Sequence, residues 1–283
     1  MKNSLKNLSI TALLITNAIT SLSCSKVSLK SDARITDSSI SIEIEKENES
    51  IININDKLLE STDVINSTLL STIEEIKKNR KMVALTFDDG PSKNTEELLE
   101  LLNKYNVDAT FFVLEYNCIN YPDAIISMAE QGHEIAIHGS THTAFTKLTV
   151  EEVQNEITST INTIENLGVE ASNIVRPPYG SLNTELKENI TSPFVLWSID
   201  TEDWKSRDKD LIKKQIEDSI SDGQIILMHD MGSVHNANLE ALRELLPELT
   251  KEYAFVTISD LYKYNDIELE NGGAYSKIKN PSK

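Results

Sequence analysis

The hydrophobic pattern of the chain changes at Lys81. From there to Tyr264, short β-branched runs alternate with segments in which apolar residues recur at helical spacing. Seven runs are predicted to form strands, at 82–87, 109–114, 134–137, 174–176, 194–199, 224–228 and 255–258. Strands that alternate with helices indicate a parallel α/β sheet, either closed as a (β/α) barrel or open and doubly wound. In both, chemistry collects at the carboxyl ends of the strands.

Two segments carry the strongest helical pattern. Apolar residues recur every three or four positions across 150–167. Thr149 and Glu152 form the pattern of a capping box before this helix, and Gly168 follows it where a C-terminal cap belongs. A second helix is predicted at 96–105, with its leucines on one face.

The first 24 residues have the pattern of an export signal. Two lysines precede an apolar run at 8–22 that ends in small residues. The run is shorter than the roughly 20 residues needed to span a bilayer. Cys24 has the position of the lipidated cysteine of a bacterial lipoprotein signal. We therefore predict an exported protein whose only link to the membrane is a lipid on Cys24, although an incidental cysteine is the plainer alternative.

The other flanking segments are polar. Residues 25–80 are rich in Ser, Asn, Glu and Lys and are predicted to be a stalk or linker, partly helical. Residues 265–283 are predicted to be a polar tail, which leaves 81–264 as the folded domain. Cys118 is the second of only two cysteines, so no intrachain disulfide is expected once Cys24 is lipidated or removed.

Net charge excludes one class of partner. The chain has 45 acidic and 27 basic residues, a formal net charge of -18, and most of the excess acid falls within 81–264. Nucleic acid is held by clustered Lys and Arg, and this chain has no basic stripe. We therefore predict no nucleic-acid partner.

Acidic and histidine residues follow the first and third predicted strands. Asp88 and Asp89 repel each other unless a cation or hydrogen bonds hold them, although a plain Asp-Gly-Pro turn also accounts for them. His138 and His142, four residues apart, can reach one metal ion, and Asp88 or Asp89 could complete a catalytic set of three protein ligands. The histidine spacing also arises by chance.

Three further strand ends carry candidate chemistry. Arg176 leaves an apolar strand before two prolines, so its partner is expected to be an acid unless it is a surface residue of a turn. Trp204 lies beyond a strand end among carboxylates, as in the wall of a sugar-binding groove. His229 ends an apolar strand beside the carboxylate of Asp230, the setting of a general acid, although a buried core histidine is the commoner case.

Together and in this order, these segments resemble the polysaccharide deacetylases of carbohydrate esterase family 4, the NodB homology domain. The matching motifs are Thr-Phe-Asp-Asp-Gly-Pro, His-x-x-x-His, Arg-Pro-Pro-Tyr-Gly, Asp-x-x-Asp-Trp and Leu-x-His. The resemblance covers 81–264 and implies a distorted (β/α) barrel with about seven parallel strands. Gly139 departs from the family pattern, because a Ser or Thr that would support the loop usually follows the first metal-binding histidine.

The resemblance implies roles for the metal ligands and the base. Asp89, His138 and His142 would ligate one divalent metal ion, commonly zinc. Asp88, oriented by Arg176, would take a proton from the attacking water.

It also implies roles for five further residues. His229, poised by Asp203, would protonate the departing amine. The backbone N–H of Tyr179 would stabilise the oxyanion together with the metal. Leu227 would line the pocket for the acetyl methyl group, and Trp204 would flank the sugar.

The implied activity is metal-dependent removal of N-acetyl groups from N-acetylglucosamine in a cell-envelope polysaccharide, with peptidoglycan first among the substrates. The expected partner is then an N-acetylated glycan. The protein is expected to act on it outside the cell, as a monomer. The intact Asp-x-x-Asp-Trp motif argues against N-acetylmuramic acid as the target. Chitin or chito-oligosaccharides, an exopolysaccharide and acetylxylan stay open as substrates, as does a non-catalytic glycan-binding domain on the same fold.

Overall fold

The structure is a computed structural model, which describes Ser71 and residues 80–279. The predicted export signal at 1–24, its Cys24 and nearly all of the predicted stalk at 25–80 lie outside these residues. Across the described part of the chain, no helix combines the length and the apolar character needed to cross a membrane.

Eight strands are present in the described residues, and every pairing between them is parallel. In chain order they are β1 (Lys81–Asp88), β2 (Ala109–Val113), β3 (Glu134–Ile137), β4 (Phe194–Val195), β5 (Ile199–Asp200), β6 (Ile225–His229), β7 (Tyr253–Phe255) and β8 (Ala274–Tyr275). The main sheet has the order β3-β2-β1-β6-β5, β7 pairs with the start of β1, and β4 pairs with β8.

The strands close into a distorted barrel. Val175 bridges Ile137 at the end of β3 on one side and Phe194 of β4 on the other. After β4, the chain runs through three residues into β5, which pairs with β6 and so returns to β1. The predicted α/β barrel with about seven parallel strands is confirmed.

Helices cover the outside of the sheet. The α-helices are α1 (Thr95–Tyr105), α2 (Glu115–Asn120), α3 (Pro122–Glu130), α4 (Val150–Glu165), α5 (Thr184–Asn189), α6 (Asp203–Ser206), α7 (Lys209–Ser219), α8 (His235–Glu252) and α9 (Ile258–Lys263). The two helices predicted most strongly are α1 and α4, and both are confirmed. The capping box is formed, since Thr149 accepts from the Glu152 amide and the Glu152 side chain accepts from the Thr149 amide.

Alternation along β1 divides the core in two. Val83, Leu85 and Phe87 pack outward with the apolar faces of the helices, whereas Met82 and Ala84 pack inward with residues of β2, β3, β4, β6 and β7. All of β1 except Lys81 is buried, as expected for a parallel strand that is covered on both faces.

Three strand predictions are wrong in their bounds. The strand predicted at 174–176 is reduced to a single bridge at Val175, and the strand at 194–199 is split into β4 and β5. The last predicted strand, 255–258, lies earlier, at Tyr253–Phe255, and the chain then enters α9 because the Thr257 hydroxyl accepts from the Asp260 amide. Within the segment predicted as a polar tail, β8 pairs with β4 and Ile278 is 4% exposed.

Candidate active site

Three predicted metal ligands converge at the carboxyl ends of β1 and β3. The Nε2 atoms of His138 and His142 lie 3.4 and 3.1 Å from Asp89 Oδ1, and one ligand atom from each residue lies within 4.8 Å of the others. Asp89 Oδ1 is buried and has no hydrogen-bond partner among the residues that the structure describes. Its free lone pairs therefore face two imidazole nitrogens, which is the arrangement that one metal ion would complete.

The histidine tautomer suits this role. His138 Nδ1 lies 2.7 Å from the main-chain carbonyl of Arg176, so Nδ1 carries the proton and Nε2 presents a lone pair towards Asp89. Burial by itself raises the pKa of Asp89. When the imidazoles of His138 and His142 are protonated, as they can be without an ion, their hydrogen bonds and charges outweigh burial and hold that pKa below its usual value. The carboxylate is thus ionised, as a ligand must be.

Arg176 holds one carboxylate oxygen of Asp88 through a buried hydrogen bond. The guanidinium is fully buried, and its Nη1 donates to Asp88 Oδ1 at 2.7 Å and to Thr86 Oγ1 at 2.8 Å. Its other nitrogens donate to the main-chain carbonyls of Val195 and Leu196, at 3.0 and 2.9 Å. All three guanidinium nitrogens are therefore hydrogen-bonded, which offsets the cost of burying the charge of Arg176.

The arginine leaves one carboxylate oxygen of Asp88 available. Oδ2 lies 3.8 Å from His138 Nε2, beside the metal-ligand cluster, while Oδ1 is held by Arg176. A carboxylate oxygen next to a candidate metal site, on a side chain whose other oxygen is held by Arg176, is well placed to accept a proton. Asp88 and Asp89 thus occupy different environments although they are adjacent in the chain.

His229 stands opposite Asp88, because the two residues are partners in the pairing of β1 with β6. Its Nδ1 lies 2.7 Å from Asp203 Oδ1, so Nδ1–H donates to that carboxylate and Nε2 is left to face a substrate. Burial lowers the pKa of His229, but the hydrogen bond to Asp203 and the charges of Asp203, Asp88 and Asp89 raise it to about 9. The imidazole is therefore protonated at neutral pH.

Asp203 is saturated with hydrogen bonds. Besides the imidazole, its carboxylate accepts from the amides of Trp204 and His229, both at 2.8 Å, and from Asn238 Nδ2 at 2.7 Å. Asn238 also donates to the main-chain carbonyl of His229 at 3.0 Å. The sequence did not identify Asn238, which reaches the site from α8 and belongs to none of the motifs.

Asp230 does not orient His229, contrary to the prediction from their adjacency. Its carboxylate turns away and accepts from Thr95 Oγ1 at 2.5 Å and Ser92 Oγ at 3.2 Å, near the start of α1. Burial raises the pKa of Asp230 to about 7, and the charge of Asp89 adds to the shift. Successive side chains on a strand point to opposite faces, so the neighbour of His229 in sequence is not its neighbour in space.

The predicted substrate contacts surround this centre. Tyr179 is 72% exposed, has a φ of 61°, and places its ring centroid 4.6 Å from that of His142. Trp204 is 49% exposed and directly follows Asp203. Leu227 is 3% exposed and lies two positions before His229 on the same face of β6. Both aromatic rings are available to a ligand, whereas Leu227 offers only a small apolar surface.

Comparison with known proteins agrees with this geometry. The polysaccharide deacetylase family model matches residues 75–192. Peptidoglycan-N-acetylmuramic acid deacetylase PdaC of Bacillus subtilis is 38% identical over 190 residues, which cover 66% of this chain and 40% of PdaC. A peptidoglycan-N-acetylglucosamine deacetylase of Bacillus cereus is 32% identical over 197 residues, which cover 67% of this chain and 92% of the relative.

Comparison with solved structures also finds the same fold in a deacetylase. The structure of Bacillus subtilis PdaC matches with a TM-score of 0.61 and 37% identity, covering 66% of this chain and 93% of that one. The chain therefore belongs to the polysaccharide deacetylase family. It spans about 40% of the full length of PdaC, so the match concerns the domain rather than the whole relative.

Proposed function

We propose that the protein removes N-acetyl groups from N-acetylglucosamine residues of peptidoglycan, with the help of one bound divalent metal ion. The observation that carries this proposal is the pairing of Asp88 with His229 across β1 and β6, beside the cluster of Asp89, His138 and His142. A base and an acid thus flank one candidate metal site, as hydrolysis of an amide requires.

The metal would be held by Asp89, His138 and His142. Two imidazoles and a carboxylate are a donor set typical of catalytic zinc, so zinc is the ion we propose. When bound, such an ion polarises a carbonyl group and makes water more acidic. The buried, unpartnered Oδ1 of Asp89 supports the fit.

Asp88 would act as the general base. Arg176 fixes Oδ1 at 2.7 Å, so Oδ2 is the atom that takes the proton from the attacking water. The backbone N–H of Tyr179, whose ring packs 4.6 Å from that of His142, would donate to the developing oxyanion.

His229 would act as the general acid. It is protonated at neutral pH because its pKa is raised to about 9, and Asp203 fixes its ring through Nδ1. Nε2–H is then the atom that donates the proton to the departing amine. Trp204 would pack against the sugar, and Leu227 would border the acetyl methyl group.

The named substrates of the relatives support peptidoglycan. The relatives from Bacillus cereus and Listeria monocytogenes are peptidoglycan-N-acetylglucosamine deacetylases, whereas PdaC is named for N-acetylmuramic acid. We favour N-acetylglucosamine because Asp203 and Trp204 of the fourth motif are both present in the sequence. The hydrogen bond of Asp203 to His229 supports this choice. Acetylated muramic acid is the competing substrate that an experiment has to separate.

We also propose that the protein works outside the cell as a monomer. Export would depend on residues 1–24, and a lipid on Cys24 would hold the protein at the membrane of the envelope. In a cell fractionation, the full chain should be found with the membranes. A Cys24→Ser variant should be found in the soluble exported fraction, and an unchanged distribution would contradict the lipid anchor.

The proposed activity can be tested by acetate release. The protein, first stripped with a chelator and then reloaded with zinc, is incubated with peptidoglycan, chitin oligomers and acetylxylan. We expect acetate from peptidoglycan only after reloading, and mass spectrometry of the fragments should place the loss on glucosamine. Loss of the acetyl group from muramic acid would show that N-acetylmuramic acid is the substrate instead. If no acetate is released from any glycan, a non-catalytic glycan-binding domain is favoured.

A further inference from the structure

Glu156 lies outside every motif, yet its side chain reaches the loop that joins the two histidines. It projects from α4, and Oε2 accepts from the backbone amides of Ser140 and Thr141, at 2.5 and 2.9 Å. Its other oxygen, Oε1, accepts from Thr141 Oγ1 at 2.8 Å. One carboxylate thus holds two successive peptide groups between His138 and His142.

Gly139 leaves the space that this carboxylate uses. Its φ is +96°, a conformation that side chains disfavour. A Cβ built at this position would lie 3.1 Å from Glu156 Oε2 and 3.1 Å from the ring of Phe145. A larger residue would therefore press on the carboxylate, so the glycine and the glutamate fit each other.

A second acidic residue, Glu115, also holds the loop. The Glu115 backbone amide donates to the Gly139 carbonyl at 3.1 Å, and the Glu115 side chain accepts from the hydroxyl of Ser140. The same carboxylate accepts from Ser159 Oγ at 2.5 Å and Thr163 Oγ1 at 2.9 Å, both on α4. The loop is thereby tied to the rigid helix α4 through both acidic residues.

This support bears on the metal-ligand cluster. His142 has a φ of 58°, and its Nε2 meets Asp89 only if the peptides before it keep their orientation. A site whose ligands are held in place before the ion arrives binds it more tightly than one that must be ordered first. The three contacts of Glu156 act on the peptides that set the distance between the two histidines.

We infer that Glu156 is a positioning residue, which pre-organises the loop 138–142 and so sets the affinity of the site for its divalent ion. This inference rests on the proposed function in one respect, namely that the cluster binds a metal. Glu156 makes no contact with the substrate in this role, and its effect passes through the backbone of Ser140 and Thr141.

The test compares zinc affinities, measured by competition with a chromophoric chelator, in three variants of the full chain. Glu156→Ala removes all three contacts and should weaken binding by about 10-fold or more. Glu156→Gln keeps an oxygen that can accept from both amides, so its loss should be about 3-fold or less. Glu165→Gln removes the same charge from an exposed position on the same helix and should leave the affinity unchanged.

Two outcomes would overturn the inference. If Glu156→Ala binds zinc as tightly as the unaltered protein, the loop needs no such support. If the Gln and Ala variants lose the same factor, the charge matters and the positioning does not. Thermal unfolding of the metal-free variants provides a check, since a purely structural role would lower the unfolding temperature and leave the zinc affinity unchanged.

A double-mutant cycle keeps the inference testable if Glu156→Ala folds poorly. Gly139→Ala should weaken zinc binding in the unaltered protein, because its Cβ presses on the carboxylate of Glu156. The same substitution should cost less beside Glu156→Asp, whose shorter side chain withdraws the carboxylate from that Cβ. Strictly additive losses would contradict the coupling. Zinc affinity is measured without substrate, so failure to release acetate would count against the proposed function alone. Failure of the unaltered protein to bind zinc would count against both.

Discussion

The two halves of the site differ in how completely the protein satisfies them. On the metal side, which holds the proposed ligands, Asp89 Oδ1 is buried next to two imidazole nitrogens and has no hydrogen-bond partner in the described part of the chain. On the acid side, the Asp203 carboxylate accepts four hydrogen bonds, from His229, Trp204 and Asn238. The metal side therefore has a buried acceptor that a bound ion would satisfy, whereas the hydrogen bonds of Asp203 on the acid side come from the protein itself.

This contrast indicates that the two halves respond differently to mutation. Loss of a group on the metal side should remove a bound ion and all the chemistry that depends on it. Loss of a group on the acid side should leave the ion in place and alter only proton transfer. Metal content and turnover, measured on the same samples, separate the two effects.

The largest effect is expected from His142→Ala. The site would keep only Asp89 and His138, so zinc should be lost on dialysis and turnover should fall by about 1,000-fold. Metal analysis and acetate release check both parts. Lys147→Ala, an exposed residue in the segment that follows, serves as the control and should change neither. Full zinc occupancy in His142→Ala would remove this residue from the ligand set.

Asp88→Asn should lower turnover by about 100-fold or more, because the amide cannot take a proton from water. His229→Ala should cost a similar factor. Zinc content should survive in both variants, since neither residue belongs to the ligand cluster. Loss of zinc from Asp88→Asn would mean that the roles of Asp88 and Asp89 are exchanged.

The pH dependence should reveal the acid. The pKa of His229 is raised to about 9, so the proton it donates is present below that pH, and turnover should fall as pH rises through it. This fall is the alkaline limb of the pH profile of turnover. A bound ion neutralises part of the charge of Asp88 and Asp89 and moves the alkaline limb to somewhat lower pH. Asp203→Asn removes the main support, so the limb should move towards the ordinary value of 6.5. An unmoved alkaline limb would exclude His229 as the group that titrates.

The smallest effect is expected from Asn238→Leu, which removes one of the four hydrogen bonds to Asp203. Since a hydrogen bond to a charged group is worth more than a neutral one, turnover should fall by about 10-fold with zinc content unchanged. Asn236→Leu, on the exposed face of the same helix, should be neutral. Equal losses in the two variants would point to α8 as a whole rather than to Asn238.

The contrast also explains what the sequence could predict. The proposed metal ligands and the proposed acid–base pair lie at or just after the ends of buried strands. Parallel strands bring their carboxyl ends together, so local pattern and topology suffice to bring these residues to one place. The residues that support them reach in from helices. Glu156 and Asn238 look like ordinary polar positions of α4 and α8, because nothing in a helical pattern marks which surface residue faces a loop.

Some strand boundaries were predicted wrongly because they depend on contacts that are distant in the sequence. The run at 194–199 has a continuous strand pattern, but its two ends pair with different partners, Val175 and β6, so it splits where the barrel closes. The segment around β8 has a mostly polar sequence, in which Ile278 is a buried apolar residue. Its pairing with β4 depends on tertiary contacts, which the local sequence does not show.

The most direct test of the account is a zinc titration of the stripped protein, with acetate release from peptidoglycan as the readout. Activity should be absent without metal, rise in proportion to added zinc, and reach its plateau at one ion per chain. The Asp88→Asn variant should bind the same single ion and release about 100-fold less acetate. Acetate release that survives the chelator, or that is unchanged in Asp88→Asn, would contradict metal-dependent deacetylation at this site.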